Sequence, residues 1–258
     1  NWMKAKEPEI IFAVGFSQLL KEEWLQIAPK GCVGFHPTQL PEGRGRAPIA
    51  WMILEQRNGA ANFFQMGKGA DDGAVFVQET FTVSNTDDVE TLIPKVHTAI
   101  NIALDRWLPE LKSGKWSPKE QNHSLATEYG KRDPADGQIN WRESSFQIDR
   151  LVKASCKPYP GAFSSFEGEI IKIWKTQIVQ SSNIRGVLGR VLRVTDNGVT
   201  VQCGVGHILI KQYSSKSGIM LKVGDTLESI NYTSRKEFNQ LILENYDEKN
   251  INRSPSSG

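Results

Sequence analysis

The chain has 258 residues, 39% of them hydrophobic and 23% charged, the balance of one large soluble domain or two modest ones. Its longest apolar run, "IIFAVGF" (10–16), falls far short of the roughly 18 residues that a membrane-spanning helix needs, and the first residues, without a basic stretch leading into an apolar core and a cleavage site, lead to the expectation of no secretion signal. A formal charge of +2 argues against bulk electrostatic capture of nucleic acid.

In chain order, "EIIFAVGF" (9–16) predicts a strand buried on both faces, being apolar and β-branched. "SQLLKEEWLQIAP" predicts a helix capped by Ser17, with Leu19, Leu20, Trp24, Leu25 and Ile27 on its apolar face and Pro29 as its stop. "GCVGFHP" (31–37) predicts a second strand. "GRAPIAWMILEQ" (45–56) predicts a helix that holds Pro48 in its first turn. "ANFFQMG" (61–67) and "AVFVQETFTV" (74–83) read as two more strands, separated by "KGADDG". "TDDVETLIPKVHTAINIALDRWLPEL" (86–111) is a long amphipathic helix with Thr86 and Asp87 as candidate caps. This alternation predicts an α/β layer with parallel strands.

The texture changes after residue 112. "KSGKWSPKEQNHSLATEYGKRDPADG" is polar and aperiodic, a linker or a long wrapped connection. "SSFQIDRLVKAS" (144–155) reads as a short helix and "PYPGAF" (158–163) as a turn. "GEIIKIWKTQIV", "LGRVLRVT", "GVTVQC", "HILIKQY" and "DTLESINY" read as short strands, with tight connections at Gly168-Glu169 and Asn197-Gly198. Such spacing predicts a small barrel or open sheet. The tail starts helically at "NQLIL" and ends as a disordered terminus. The expected divisions are 1–112, a linker and bridging helix over 113–168, a β subdomain over 169–232, and a final helix and tail over 233–258. Cys32, Cys156 and Cys203 are odd in number and widely spaced, which fits a reducing cytoplasm and no metal site.

The stretch "GCVGFHPTQLPEGRGRAPIAW" (31–51) places His36 at the end of a buried strand, where open α/β sheets put their ligands. Imidazole is suited to moving a proton near neutral pH. Arg44 and Arg46 can contact an anion or fasten the loop to carboxylates. Asp71 and Asp72 in "GKGADDGA" offer a carboxylate to orient the imidazole and favour its charged form. A structural histidine and a plain turn fit the same residues, so chemistry alone leaves both readings open.

"GFHPTQLPEGRGRAPIAW" resembles the signature of the folate-dependent formyltransferases, Asn-x-His-x-Ser-Leu-Leu-Pro followed by Arg-Gly and a helix start. "GADDGAVFVQE" is similar to their second signature, Asp-x-Gly at a strand start. "DGQINWRESSFQIDRLVKASCKPYPGAFSSFEGEIIKIWKTQIV" looks like their bridge into a C-terminal subdomain. The resemblance implies a Rossmann-like domain followed by a small, β-rich, OB-like subdomain. It also implies that about two βα units of the family precede residue 1, so the sequence is read as starting part-way into the first domain.

Carried over by position, His36 and Asp71 match the catalytic pair, with Asp72 second, and Thr38 stands where the family has serine. Phe16, Ser17, Leu19 and Leu20, with Gly69 and Ala70, match the slot for 10-formyltetrahydrofolate, the formyl donor, and no metal is implied. The family asparagine falls on Gly34. Restoring it as Gly34→Asn is expected to preserve activity unless the larger side chain clashes. His97, His123 and His207 match no shared motif and are read as surface or packing residues.

The wording of "GRGRAPIAW" and "PYPGAF" is nearest to the aminoarabinose-type sugar-nucleotide formyltransferases, which implies an amino sugar nucleotide as acceptor. A methionyl-tRNA acceptor is the alternative. Hydrolysis of the donor, or folate binding without turnover, would follow from the missing asparagine. No membrane partner is implied, the expected location is cytoplasmic, and a homodimer stays open.

Overall fold

The computed structural model describes residues 2–16, 19–180, 183–244 and 251–253. It divides into two compact units, Asn1–Asp87 with Thr91–Lys131, and Asp88–Glu90 with Arg132–Gly258.

The first unit is built on four strands, β1 (Ile11–Ala13), β2 (Cys32–Thr38), β4 (Gly59–Gln65) and β5 (Val75–Phe81), in the order β1-β2-β4-β5. A short strand β3 (Arg44–Gly45) lies in the loop after β2. Within this four-stranded sheet β1 and β2 are the parallel pair; β4 is antiparallel to both β2 and β5. The expected parallel layer is therefore corrected to a mixed sheet. Residues 66–74, between β4 and β5, are too few for the crossover that a parallel pair requires. β2 and most of β4 are buried on both faces, so their sequences lack the apolar–polar alternation of a strand with one wet face.

The first predicted helix is shorter than its apolar pattern suggested. α1 covers only Glu22–Leu25, and Lys21 before it is extended without a side-chain cap. Ser17, the expected cap, lies outside the described residues. α2 (Pro48–Glu55) keeps Pro48 at its first position as predicted, where a missing N–H costs nothing. α3 (Val89–Lys112) also follows the prediction. Phe63, Val77, Ala99, Ala103 and Trp107 form the centre of this unit's core, with the Trp107 ring 4.9 Å from that of Phe76 and 5.8 Å from that of Phe63.

The polar stretch after α3 is a wrapped connection. Lys119 bridges to Val75 at the edge of β5, and a short strand β6 (Glu128–Tyr129) pairs in parallel with β3.

The second unit carries α4 (Ser145–Ser155), capped by Ser144 and Gln147 in a reciprocal box. Its antiparallel sheet holds β7 (Ala162–Phe166), β8 (Glu169–Val179), β9 (Val191–Thr195), β10 (Gly198–Gln202) and β11 (His207–Ser214), in the order β7-β8-β11-β10-β9. After α5 (Arg235–Glu244), β12 (Ile251–Arg253) also pairs with β11. "PYPGAF" ends by opening β7, which its turn composition concealed. "DTLESINY" is not a strand: it makes only isolated bridges through Thr226 and Glu228. The end of the tail lies outside the described residues. Ile139, Trp141, Ile148, Ile171, Ile173, Val201, Ile208 and Ile210 fill this unit's core.

Among the described residues no helix is long and apolar enough to cross a membrane, and no group of His, Cys, Asp and Glu could hold a metal ion.

Candidate active site

Period-two alternation puts Gly34 and His36 of β2 on one face, opposite Phe64 and Asn62 of β4. The Asn62 amide nitrogen donates to the carbonyls of His36 and Ala60, each at 2.8 Å, and also to that of Thr38. Its oxygen accepts from Gln78 Nε2 at 2.7 Å. Asn62 thus fixes the register irregularity between His36 and Thr38, where the strand hands over to the loop.

The His36 side chain is 6% exposed, and both ring nitrogens meet protein. Nε2 lies 2.8 Å from the Gly43 carbonyl, which can only accept, so Nε2 carries a hydrogen. Nδ1 lies 3.2 Å from Asp71 Oδ2. Burial pushes the imidazole below its ordinary value of 6.5, against the upward pull of the Asp71 charge and the Gly43 carbonyl. A neutral ring has one N–H for two facing acceptors, so a second proton has its place prepared at Nδ1.

Asp71 sits at φ 51°, in the left-handed region that aspartate enters more readily than most side chains. Its Oδ2 also accepts the Gly45 N–H at 2.9 Å, which ties the two loops together. Among the described residues no hydrogen bond engages Asp71 Oδ1, and the side chain is 19% exposed. Asp72 turns the other way: a Cβ on Gly69 would lie 2.0 Å from Asp72 Oδ2. Gly73 has no room for any side chain, because its Cβ would lie 1.7 Å from the Gln65 carbonyl oxygen. The spacing of "DDG" thus follows from the turn: Asp71 meets His36, Asp72 folds back, and Gly73 passes the β4 backbone.

The remaining expected residues separate. Phe16, Leu19 and Leu20 line a cavity of about 530 Å³ with Ile11, Phe12 and Trp24, an apolar space of a size suited to a flat heterocycle. Ser17 lies outside the described residues. Gly69 and Ala70 do not line that cavity and belong to the turn leading to Asp71. Thr38 turns away from the pair and donates to the Glu42 carbonyl at 2.7 Å. Among the described residues Arg44 pairs with no carboxylate: its buried guanidinium donates to Gln121 Oε1 and meets His123 Nδ1 at 3.1 Å. Arg46 is exposed.

Asn62 and Gln121 were not marked by the sequence, and His123 was read only as a surface or packing residue. Asn62 sits inside an unremarkable strand pattern, and Gln121 and His123 fall in the aperiodic polar stretch, so only the tertiary fold brings them to the loops.

Two family descriptions match this chain, "Formyl transferase" over residues 1–108 and "Formyl transferase, C-terminal domain" over residues 131–231. The chain belongs to the formyl transferase family. Solved structures agree on the fold. HypX from Aquifex aeolicus in complex with tetrahydrofolic acid is 19% identical with a TM-score of 0.67, over 83% of this chain and 37% of that one. This chain therefore spans well under half the length of HypX. Methionyl-tRNA formyltransferase from Clostridium thermocellum is 21% identical with a TM-score of 0.57, over 69% of this chain and 76% of that one. The N-formyltransferase from Helicobacter canadensis, in complex with folinic acid and dTDP-3-aminofucose, is 16% identical with a TM-score of 0.60, over 77% and 72%.

Within this formyl transferase fold, the departure at Gly34 is filled rather than vacant. A Cβ there would lie 2.7 Å from Phe64 Cζ and 3.0 Å from Met66 Cγ, and Phe64 is itself buried. Gly34→Asn is therefore expected to clash and to destabilise the fold by about 1–3 kcal/mol, the usual cost of overpacking. Urea unfolding of the variant checks this; unchanged stability would show that Phe64 yields freely.

Proposed function

We propose that this chain transfers a formyl group from 10-formyltetrahydrofolate to the primary amine of an amino sugar nucleotide. The observation that carries the reading is the His36–Asp71 pair, assembled at 3.2 Å from strand β2 and the turn after β4, with no hydrogen bond on Asp71 Oδ1 among the described residues. Family membership supports formyl transfer, and the apolar cavity beside β1 suits the pterin of the donor, with Phe16, Leu19 and Leu20 in its wall. The choice of acceptor rests on the sequence likeness to aminoarabinose-type enzymes.

The amine nitrogen attacks the formyl carbon, forming one C–N bond, and the C–N bond to the donor breaks. The amine must lose a proton and the departing nitrogen must gain one. Both nitrogens of His36 are engaged, so Asp71 Oδ1 is the atom open to take that proton and return it. His36 supports this carboxylate from behind, and its Nδ1 can accept the proton that Oδ2 shares. The sequence-based assignment of proton transfer to His36 is thereby refined: Asp71 faces the reactants, and His36 sets its basicity.

Mass spectrometry of the protein incubated with 10-formyltetrahydrofolate and a panel of amino sugar nucleotides tests the proposal. A gain of one CO unit on a sugar nucleotide is expected. Transfer to charged initiator tRNA alone would overturn the acceptor. A second reading, hydrolysis of the donor to formate, is favoured by one specific feature: position 34 offers no side-chain amide, and Phe64 and Met66 crowd the space a side chain there would enter. Formate release with no sugar product would select it.

A further inference from the structure

Residues 119–130 lie along both loops of the pair and bond to each of them. Gly43 N–H donates to Thr127 Oγ1 at 2.8 Å, Arg44 N–H to the Thr127 carbonyl at 2.9 Å, and Arg46 N–H to the Tyr129 carbonyl at 3.0 Å. These contacts hold the loop after His36. On the Asp71 side, Lys119 pairs with Val75 through the backbone, and one buried side chain reaches the Asp71 turn itself.

Gln121 Nε2 donates to the Asp71 carbonyl at 2.8 Å and to the Gly73 carbonyl at 2.7 Å. Its Oε1 accepts from Arg44 Nη2 at 2.8 Å and from Arg44 Nε at 3.2 Å. The amide cannot be turned round. Guanidinium groups only donate, so oxygen must face Arg44, and the two amide hydrogens must face the two carbonyls. The bracketed carbonyls flank Asp72 and begin at the residue with φ 51°, a left-handed conformation that persists only where its surroundings impose it.

We propose that Gln121, its amide locked by Arg44, is the positioning residue that holds the Asp71 turn so that the carboxylate meets His36. The inference rests on the reading of His36 and Asp71 as the working pair. It adds a residue from outside both sequence signatures and gives the buried Arg44 guanidinium a role, fixing the orientation of the Gln121 amide.

The test is a cycle read by NMR titration of the His36 imidazole, which needs no turnover. In the native chain, Asp71→Asn should move the His36 titration to lower pH, because the carboxylate that favours the charged ring is gone. On a Gln121→Met background, matched in length and without either bond, the same Asp71→Asn change should have little effect, because the carboxylate has already left. Gln121→Glu provides a second background. It keeps a partner for Arg44, but it turns an acceptor toward both carbonyls and should give the same loss of coupling. A full Asp71-dependent shift on either Gln121 background would overturn the proposal. In the formyl transfer assay both Gln121 variants should lower kcat by about a hundredfold, the scale of a misplacement near 1 Å, with KM for the donor little changed. Restoration of kcat by Gln121→Glu would also overturn it, since a purely structural role would be met by the ion pair. If the native chain transfers no formyl group, the function fails, and the titration cycle still decides whether Gln121 positions Asp71.

Discussion

Asp71→Asn and His36→Ala are each expected to lower kcat for formyl transfer by roughly a hundred- to ten-thousand-fold, the usual contribution of a positioned proton-transfer group. The loss at Asp71 should be at least as large as that at His36. In the proposed mechanism Asp71 Oδ1 takes the proton, whereas both ring nitrogens of His36 already face protein acceptors. Equal folding is the control, because His36→Ala also leaves the Gly43 carbonyl without its partner. Near-native kcat in either variant would remove the pair from the mechanism.

The pH dependence has a definite sign. Burial holds His36 below its ordinary 6.5, so the ring stays neutral above that value and gains its second proton only below it. Protonation places a cation against Asp71 and weakens the carboxylate as a base. kcat/KM should therefore be level above pH 6.5 and fall on the acid side. Stability follows the same direction. Between the lowered folded value and 6.5, the unfolded chain binds more protons than the folded one, so the His36 contribution is complete above 6.5 and is lost as pH falls. A rate that rises on acidification would mean that the charged ring is the working form.

How far the site could be read from the sequence depended on the scale of each contact. The His36 and Asp71 loops carry family signatures because the chemistry constrains their spacing, and Gly73 is explained by one local approach to Gln65. Asn62 reaches His36 only through strand register, and Gln121 reaches Asp71 only because a polar segment with no period wraps back over the unit. Neither relation leaves a periodic trace. The parallel layer was misread because apolar runs report burial on both faces and are silent on strand direction. α1 was overextended because Leu19 and Leu20 line a cavity instead of continuing a helix face.

"EIIKIWK" in β8 hid a different problem, since alternation would place Lys172 on an open face. Instead Lys172 is 1% exposed, paired in register with Phe163 of β7 and Ser214 of β11. Among the described residues its Nζ has one acceptor, the Pro160 carbonyl, and no carboxylate. Burial pushes the ammonium from 10.5 down to about 7.

Between about pH 7 and 10.5 the unfolded chain therefore keeps a proton that the folded chain releases, so unfolding free energy should rise with pH across that window. Below it the buried charge costs the fold a few kcal/mol, at about 1.4 kcal/mol for each tenfold step. Lys172→Met, which removes the charge at similar length, should stabilise the chain at pH 6. At pH 10 the gain should shrink or reverse, because the neutral amine costs little there and the Pro160 carbonyl then loses a useful donor, a loss of about 1–3 kcal/mol. Urea unfolding of both proteins at the two pH values measures the difference. A change in stability that is the same at both would mean that the ammonium stays charged throughout and that the Pro160 carbonyl and its neighbours solvate it as well as water does.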